Sequence, residues 1–312
     1  MVHLGVEMPQ PLPVLINRSG GTAAALGARL EETVREAFAP SGRAIDLELL
    51  DGGEMAEAIR RRSRAPVVAV GGGDGTLGGA AQALRGKRAA LAILPLGTRN
   101  HLARALGIPL DLAEAATVAA TGERRRMDLG RAGERVFVNN ASIGIYPQLV
   151  RERDRRALPK WLGTIPAAWR VLRTMRPRRY RLAVDGELRE VRTPLLFVGN
   201  NRYSLDPRTL GHRESLEEGR LSLCAVRAEG PGHLLKFACK VLLGLADADT
   251  DFEDLLEARA ITVEGEGEIG VALDGEVVKM ALPLALDILP AALGVVAPRV
   301  PAGRQPLYSR TH

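Results

Sequence analysis

Residues 67–79, VVAVGGGDGTLGG, constrain the fold more than any other stretch of the chain. An apolar run of strand length enters three glycines, an aspartate, a glycine and a threonine. Glycine lacks a Cβ, so such a loop takes conformations and close approaches that other residues resist. A helix starting near Thr76 would point its free N–H groups and positive dipole end at an anion. A strand, a glycine turn and a helix in that order belong to a parallel α/β sheet, with the turn as a cradle for phosphate.

The surrounding sequence extends the pattern. PVLIN (13–17), IDLELL (45–50), PVVAV (66–70) and LAILP (91–95) have strand character. Helical stretches lie between or after them: GARLEETVREAF, EMAEAIRRRS, AAQAL and NHLARAL. Strands alternating with helices predict a parallel sheet with helices on its faces. Beyond Asp128 the texture changes to RVFVNNASIG, RYRLAVDG, PLLFVGN, RLSLCAV, AITVEG and VALDGEVV, strands joined by turns. This predicts an α/β protein with an N-terminal parallel-sheet domain, 1–130, and a β-rich antiparallel domain, 131–282. The apolar segment 283–300 is expected to return to the first domain, and 301–312 to be a polar tail.

Composition excludes several classes. Cys224 and Cys239 are the only cysteines and form no CxxC or Cys/His cluster, which argues against a disulfide framework or a structural zinc site. The N-terminus MVHLGVEMPQPLP lacks the charged-then-apolar pattern of a signal peptide, so a cytoplasmic protein is expected. MALPLALDILPAALGVVAP is broken by Pro283, Asp287 and Pro290 into strand-sized pieces rather than a membrane span. A net charge of +6 suits an acidic partner. No zinc-finger spacing or RNP-like aromatic motif points to nucleic acid.

Three phosphate-loop readings compete. A Walker A loop requires GxxxxGK[ST], but the Gly86–Lys87 pair is followed by Arg88. Gly73, Gly75 and Gly78 give a formal GxGxxG, yet no acid occurs between Asp74 and Asp111, where a dinucleotide site places one about 20 residues on. The third reading is the GGDGT loop of diacylglycerol-kinase-like lipid kinases, NAD kinases and, more distantly, phosphofructokinases. LPLGTRNHLARALGIP (94–109) resembles the PLGTxNDxAR segment of the diacylglycerol/sphingosine kinase catalytic domain. INRSGG (16–21) is similar to that family's NPxSG, FVNNASIG (137–144) to its FxNxxSxG strand, and LDGEVV (273–278) to its C-terminal DGE motif.

The resemblance implies an ATP- and Mg²⁺-dependent lipid kinase with a nucleotide-binding α/β domain and a β-rich substrate domain. Asn17, Ser19, Gly20 and Gly21 would lie along ATP, as would Gly72, Gly73, Asp74, Gly75 and Thr76. Thr98 and Asn100 would complete that shell. Asp74 would act through Mg²⁺, because a carboxylate set directly against a triphosphate repels it unless a cation intervenes.

Phosphorylation of a neutral hydroxyl benefits from a carboxylate that accepts its proton. By resemblance Glu276 is that acceptor, with Asp274 a neighbouring metal or hydroxyl contact. In extended chain the two share a face, and a turn at Gly275 separates them. VDGEL (184–188) is a second DGE and is expected to be an ordinary hairpin turn.

Several positions depart from the family pattern. Gly78 and Gly79 replace an Asn–Glu pair, and His101 replaces an aspartate. Relatives carry a DG-x-L turn that can hold a structural Mg²⁺, whose counterpart here is SLEEGRL with Glu218 in the aspartate's place. The carbonyls of Ser215 and Arg220 would be its other ligands. The basic segment 151–181 carries Trp161 and Trp169, which suits peripheral contact with an anionic membrane surface, where a lipid substrate resides. Relatives often pair, so a homodimer is compatible with the resemblance. The competing readings are a catalytically inactive lipid- or nucleotide-binding relative and, more distantly, an NAD kinase.

Overall fold

The computed structural model describes residues 10–144, 177–201, 216–226 and 252–299. The chain divides into two compact units, residues 1–126 with 293–301, and 127–292 with 302–312.

In the first unit, β1 (Leu12–Asn17), β2 (Ile45–Leu50), β3 (Val67–Gly72) and β4 (Ala90–Pro95) form a parallel sheet in the order β2-β1-β3-β4. The central strands are near-continuous apolar runs because both faces are covered, and Val14, Leu15, Ile16, Val68, Val70, Leu91 and Leu94 are fully buried. β2 at the edge is only half-buried, as its alternating IDLELL predicts. Around the sheet lie α1 (Gly21–Leu26), α2 (Leu30–Phe38), α3 (Gly52–Arg62), α4 (Asp74–Leu84), α5 (His101–Ala105) and α6 (Leu112–Thr121). α2 buries Leu30, Val34, Ala37 and Phe38, an i, i+4, i+7, i+8 stripe, while its charged residues stay outside. α6 was not expected from the apolar pattern. Its N-cap Asp111 accepts from the N–H groups of Ala113 and Glu114, both at 3.0 Å.

From β1 the chain steps to one side to make β2, then crosses to the other side for β3 and β4. The order of strand addition reverses between β1 and β3, and ligands bind outside the carboxyl ends of strands at such a point. The loops that follow β1 and β3 are INRSGG and GGGDGT.

The second unit holds two sheets. β5 (Glu123–Ala132) pairs with β6 (Arg135–Phe137) and β16 (Leu284–Ala297). β16 also pairs antiparallel with β13 (Ala260–Val263), which is followed by β8 (Arg178–Val184) and β9 (Glu187–Thr193). The other sheet runs β12 (Phe252–Ala258), β11 (Leu221–Val226), β10 (Leu195–Asn200), β7 (Asn140–Gly144), β14 (Glu268–Leu273), β15 (Glu276–Ala281), with every pair antiparallel. Ile143, Val198, Leu223 and Val271 of this sheet share one core with Leu182, Ile261 and Leu286 of the first.

β16 corrects the expectation of short pieces. It is a single strand of 14 residues, in which Pro290 and Ala291 (φ 49°) interrupt the regular backbone. Its Gly294 and Val295 belong to the first unit and pair parallel with Ala90 and Leu91 of β4. Cys224 is buried in β11 and burial pushes its thiol up to about 12, so it behaves as a small core residue. Cys239 and most of the basic segment around Trp161 and Trp169 lie outside the described residues.

Candidate active site

In the first unit, four loops meet at the carboxyl ends of β1 to β4. Backbone proximity dictates their glycines. A Cβ on Gly97 would sit 2.4 Å from the Gly73 Cα, and one on Gly21 would sit 2.4 Å from the Leu96 carbonyl oxygen. Gly21 also has φ 58°, a conformation side chains resist. The Thr22 N–H donates to the same Leu96 carbonyl at 2.9 Å. The loops after β1 and β3 are thus both seated on the loop after β4. Gly97→Ala is therefore expected to destabilise the first unit by about 2–4 kcal/mol. A lower unfolding midpoint together with weakened nucleotide binding is the expected result.

Side chains complete the assembly. Asn17 Nδ2 donates to Thr76 Oγ1 at 2.9 Å, and Asn17 Oδ1 accepts the Ser19 N–H at 3.0 Å. Asn100 is buried in the left-handed region at φ 52°. Its amide accepts the Gly97 N–H at 3.0 Å and donates to the Gly97 carbonyl at 2.8 Å. Its side chain shapes the loop that carries exposed Thr98, and this is the role the structure gives it.

Asp74 opens α4 and is half-buried. Its Oδ1 accepts the backbone N–H of His101 at 2.9 Å, and among the described residues its other oxygen takes no hydrogen bond. His101 thus serves through its main chain, which any residue but proline supplies, while its side chain is exposed. The first-turn N–H groups of α4 have no partner inside the helix. Together these make a cradle of backbone donors with one carboxylate oxygen open beside it.

No group of three or more His, Cys, Asp or Glu side chains gathers among the described residues. A Mg²⁺ held by one carboxylate, waters and substrate phosphates needs no such cage, so Asp74 fits the cation its motif implies.

In the second unit the DGE motif is a turn. Leu273 pairs with Glu276, leaving Asp274 (φ 48°) and Gly275 (φ 90°) as a two-residue hairpin loop with both residues at positive φ. The extended arrangement, with both carboxylates on one face, is therefore replaced by a division of labour. Asp274 Oδ2 accepts from the Val138 N–H at 2.7 Å, and Oδ1 accepts from Asn139 at 2.6 Å and Asn140 at 3.0 Å. Its carboxylate fastens the FVNN backbone to the hairpin. Glu276 begins β15 exposed, and its side chain makes no hydrogen bond or ion pair among the described residues.

The second DGE has the same geometry. Val184 pairs with Glu187, Asp185 has φ 48°, and its Oδ1 accepts from Arg259 and Ala260, both at 2.9 Å. Turn geometry does not separate the two motifs. Their distinction rests on position in the chain.

At the SLEEGRL turn, Ser215 lies outside the described residues and Glu218 is exposed. The Arg220 carbonyl accepts the Asn201 N–H at 2.9 Å. Asp128, which is buried and belongs to none of the motifs, holds this turn. Its Oδ2 accepts the Gly219 N–H and its Oδ1 the Ala291 N–H, both at 2.7 Å. The turn thus has a protein fastening of its own. An acid between Met127 and Leu129 in a strand is the one signal that pointed to Asp128.

Comparison with known proteins agrees with this architecture. The diacylglycerol kinase catalytic domain family matches residues 11–132, and the YegS C-terminal NAD kinase beta sandwich-like domain matches residues 142–297. A protein named probable lipid kinase YegS-like from Chromohalobacter salexigens is 32% identical over 240 residues, covering 72% of this chain and 75% of that protein. The chain belongs to the diacylglycerol-kinase-like, YegS-type lipid kinase family. A diacylglycerol kinase from Mycobacterium tuberculosis is 29% identical over 276 residues, covering 82% of this chain and 86% of that protein. A diacylglycerol kinase structure from Bacillus anthracis aligns with a TM-score of 0.66 and 21% identity over 94% of this chain and 97% of that one, a likeness of fold. Within the lipid kinase family, the two matched regions contain both sites: the loops of Asn17, Gly73, Asp74 and Thr98 fall in the catalytic-domain match, and Asp274 and Glu276 in the sandwich match.

Proposed function

We propose that this chain is an ATP- and Mg²⁺-dependent kinase that transfers the γ-phosphate to the hydroxyl of a lipid alcohol, with diacylglycerol the first candidate. The observation that carries the reading is the cradle at the switch point of the parallel sheet, where backbone donors and one open oxygen of Asp74 stand together. Two relatives named lipid kinase and diacylglycerol kinase support the choice of acceptor class.

In this reading Asn17, Gly20, Gly21, Gly72, Gly73, Gly75, Thr76 and Thr98 border the nucleotide, and Asp74 holds the cation. A divalent cation held there would supply the charge neutralisation that phosphoryl transfer needs. Ser19 contributes through the loop it shapes, since its N–H and hydroxyl are both engaged. Glu276, exposed and unpaired among the described residues, accepts the proton of the attacking lipid hydroxyl. Asp274 keeps the hairpin that presents Glu276 in place. The lipid is met at an anionic membrane surface, which the net charge of +6 favours. No helix among the described residues is long and apolar enough to cross a membrane.

The test is transfer of labelled γ-phosphate from ATP to a panel of lipid alcohols in mixed micelles containing Mg²⁺. Labelled product on one lipid supports the reading and names the acceptor. ATP binding without product on any lipid overturns it in favour of a nucleotide-binding relative. Removing divalent cation with EDTA is expected to lower turnover by at least about a hundredfold, and added Mg²⁺ to restore it.

A further inference from the structure

In the loop after β1, Arg18 stands where the NPxSG pattern has proline. Proline fixes φ and stiffens a loop on its own. Arginine does not, yet a loop that cradles phosphate binds more weakly if it must first be ordered. The structure shows what takes over. Arg18 Nε and Nη2 donate to the two oxygens of Asp51 at 3.0 and 2.8 Å, a bidentate pair, and Ser19 Oγ donates to Asp51 Oδ1 at 2.9 Å.

Asp51 is itself fixed as the N-cap of α3, where its backbone N–H donates to Glu54 Oε2 at 2.9 Å. From Ser19 the connection continues through Asn17 to Thr76 in the glycine loop. The loop after β2 therefore holds the loop after β1, and through it reaches the phosphate cradle.

We infer that Asp51, acting through Arg18 and Ser19, is a positioning residue for the nucleotide, supplying by an ion pair the loop rigidity that proline supplies in the motif. The inference rests on the proposed nucleotide reading. Arg18 first, and Ser19 second, hold the Asp51 carboxyl down to about 2. Its folded-state pKa lies below its ordinary value, so the pair is intact above about pH 4 and is lost as pH falls towards 2. Across the range in which a kinase is assayed, nucleotide affinity should not titrate through this pair.

Both side chains are 55% exposed, so the pair adds little to global stability, and its removal should show in binding rather than in unfolding. The experiment measures the Kd and KM for MgATP in the full-length protein and in Asp51→Asn, Arg18→Ala and the double variant. Asp51→Asn keeps an acceptor for Ser19 and for the helix cap while removing the charge. Each single variant is expected to weaken nucleotide binding about two- to fivefold, with kcat within about twofold. The double variant should be no worse than either single one, since both remove the same tie. Arg35→Ala, which breaks the Glu31 pair on α2, is the control and should leave Kd unchanged.

Unchanged Kd in Asp51→Asn, or fully additive losses in the double variant, would overturn the inference. A fall in unfolding midpoint that accounts for the loss would assign the pair a merely structural role and overturn it as well. If the unaltered protein binds no MgATP, the nucleotide reading itself fails, a result distinct from these.

Discussion

Replacing Glu276 with glutamine should lower phosphoryl transfer by about two to four orders of magnitude, the range for loss of a positioned general base. Unfolding and MgATP affinity should stay as they were. The structural reason for expecting so clean a separation is that the Glu276 side chain is exposed and makes no hydrogen bond or ion pair among the described residues. Glutamine preserves the shape and removes only the ability to take a proton. Labelled-phosphate transfer at saturating ATP and lipid, measured beside a denaturation curve, checks both halves. Retention of more than about a tenth of the turnover would move the proton acceptor elsewhere.

Much of the first unit was legible because its signals are local. β1, β3 and β4 are apolar runs that enter glycine loops, and buried parallel strands need no alternation to be recognised. What was not legible there depends on contacts distant in sequence. Nothing in PLGTRN says that Asn100 will spend its amide on Gly97, or that Gly97 is a glycine because the Gly73 backbone lies against it. α6 escaped because its apolar face is mostly alanine, although Asp111 and Glu114 spell out an N-terminal cap. β9, ELREVRT, escaped because this edge strand exposes both faces over Glu187–Glu190 and buries only Val191 and Thr193, so it shows no alternation.

The second unit shows a different limit. LDGEVV and VDGEL have the same turn chemistry and fold into the same hairpin. Asp-Gly with flanking apolar residues reports the turn faithfully, and it says nothing about which turn bears a reactive group. Besides their place in the chain, their surroundings distinguish them: the FVNN backbone lies across Asp274, while the start of β13 lies across Asp185. Asp128 marks the same limit from the other side. Its partners, Gly219 and Ala291, are 91 and 163 residues away.

Asp274→Ala should destabilise the second unit by about 3–5 kcal/mol, a larger loss than Gly97→Ala should cause in the first. The carboxylate accepts three backbone N–H groups, and alanine leaves all three without it. Alanine also resists the positive φ at this position, whereas asparagine tolerates it. Asp274→Asn keeps one carbonyl oxygen as acceptor and should lose about half as much. Asp185→Ala removes two hydrogen bonds at a more exposed turn and should lose only about 1–2 kcal/mol. Denaturant midpoints for the three variants check the ranking. Activity then separates fastening from chemistry. If Asp274 only holds the hairpin, Asp274→Asn should keep most of its turnover per folded molecule under conditions where it remains folded. If Asp274→Asn is as stable as the unaltered protein and yet inactive, Asp274 takes part in the transfer, and Glu276 has to share the role assigned to it.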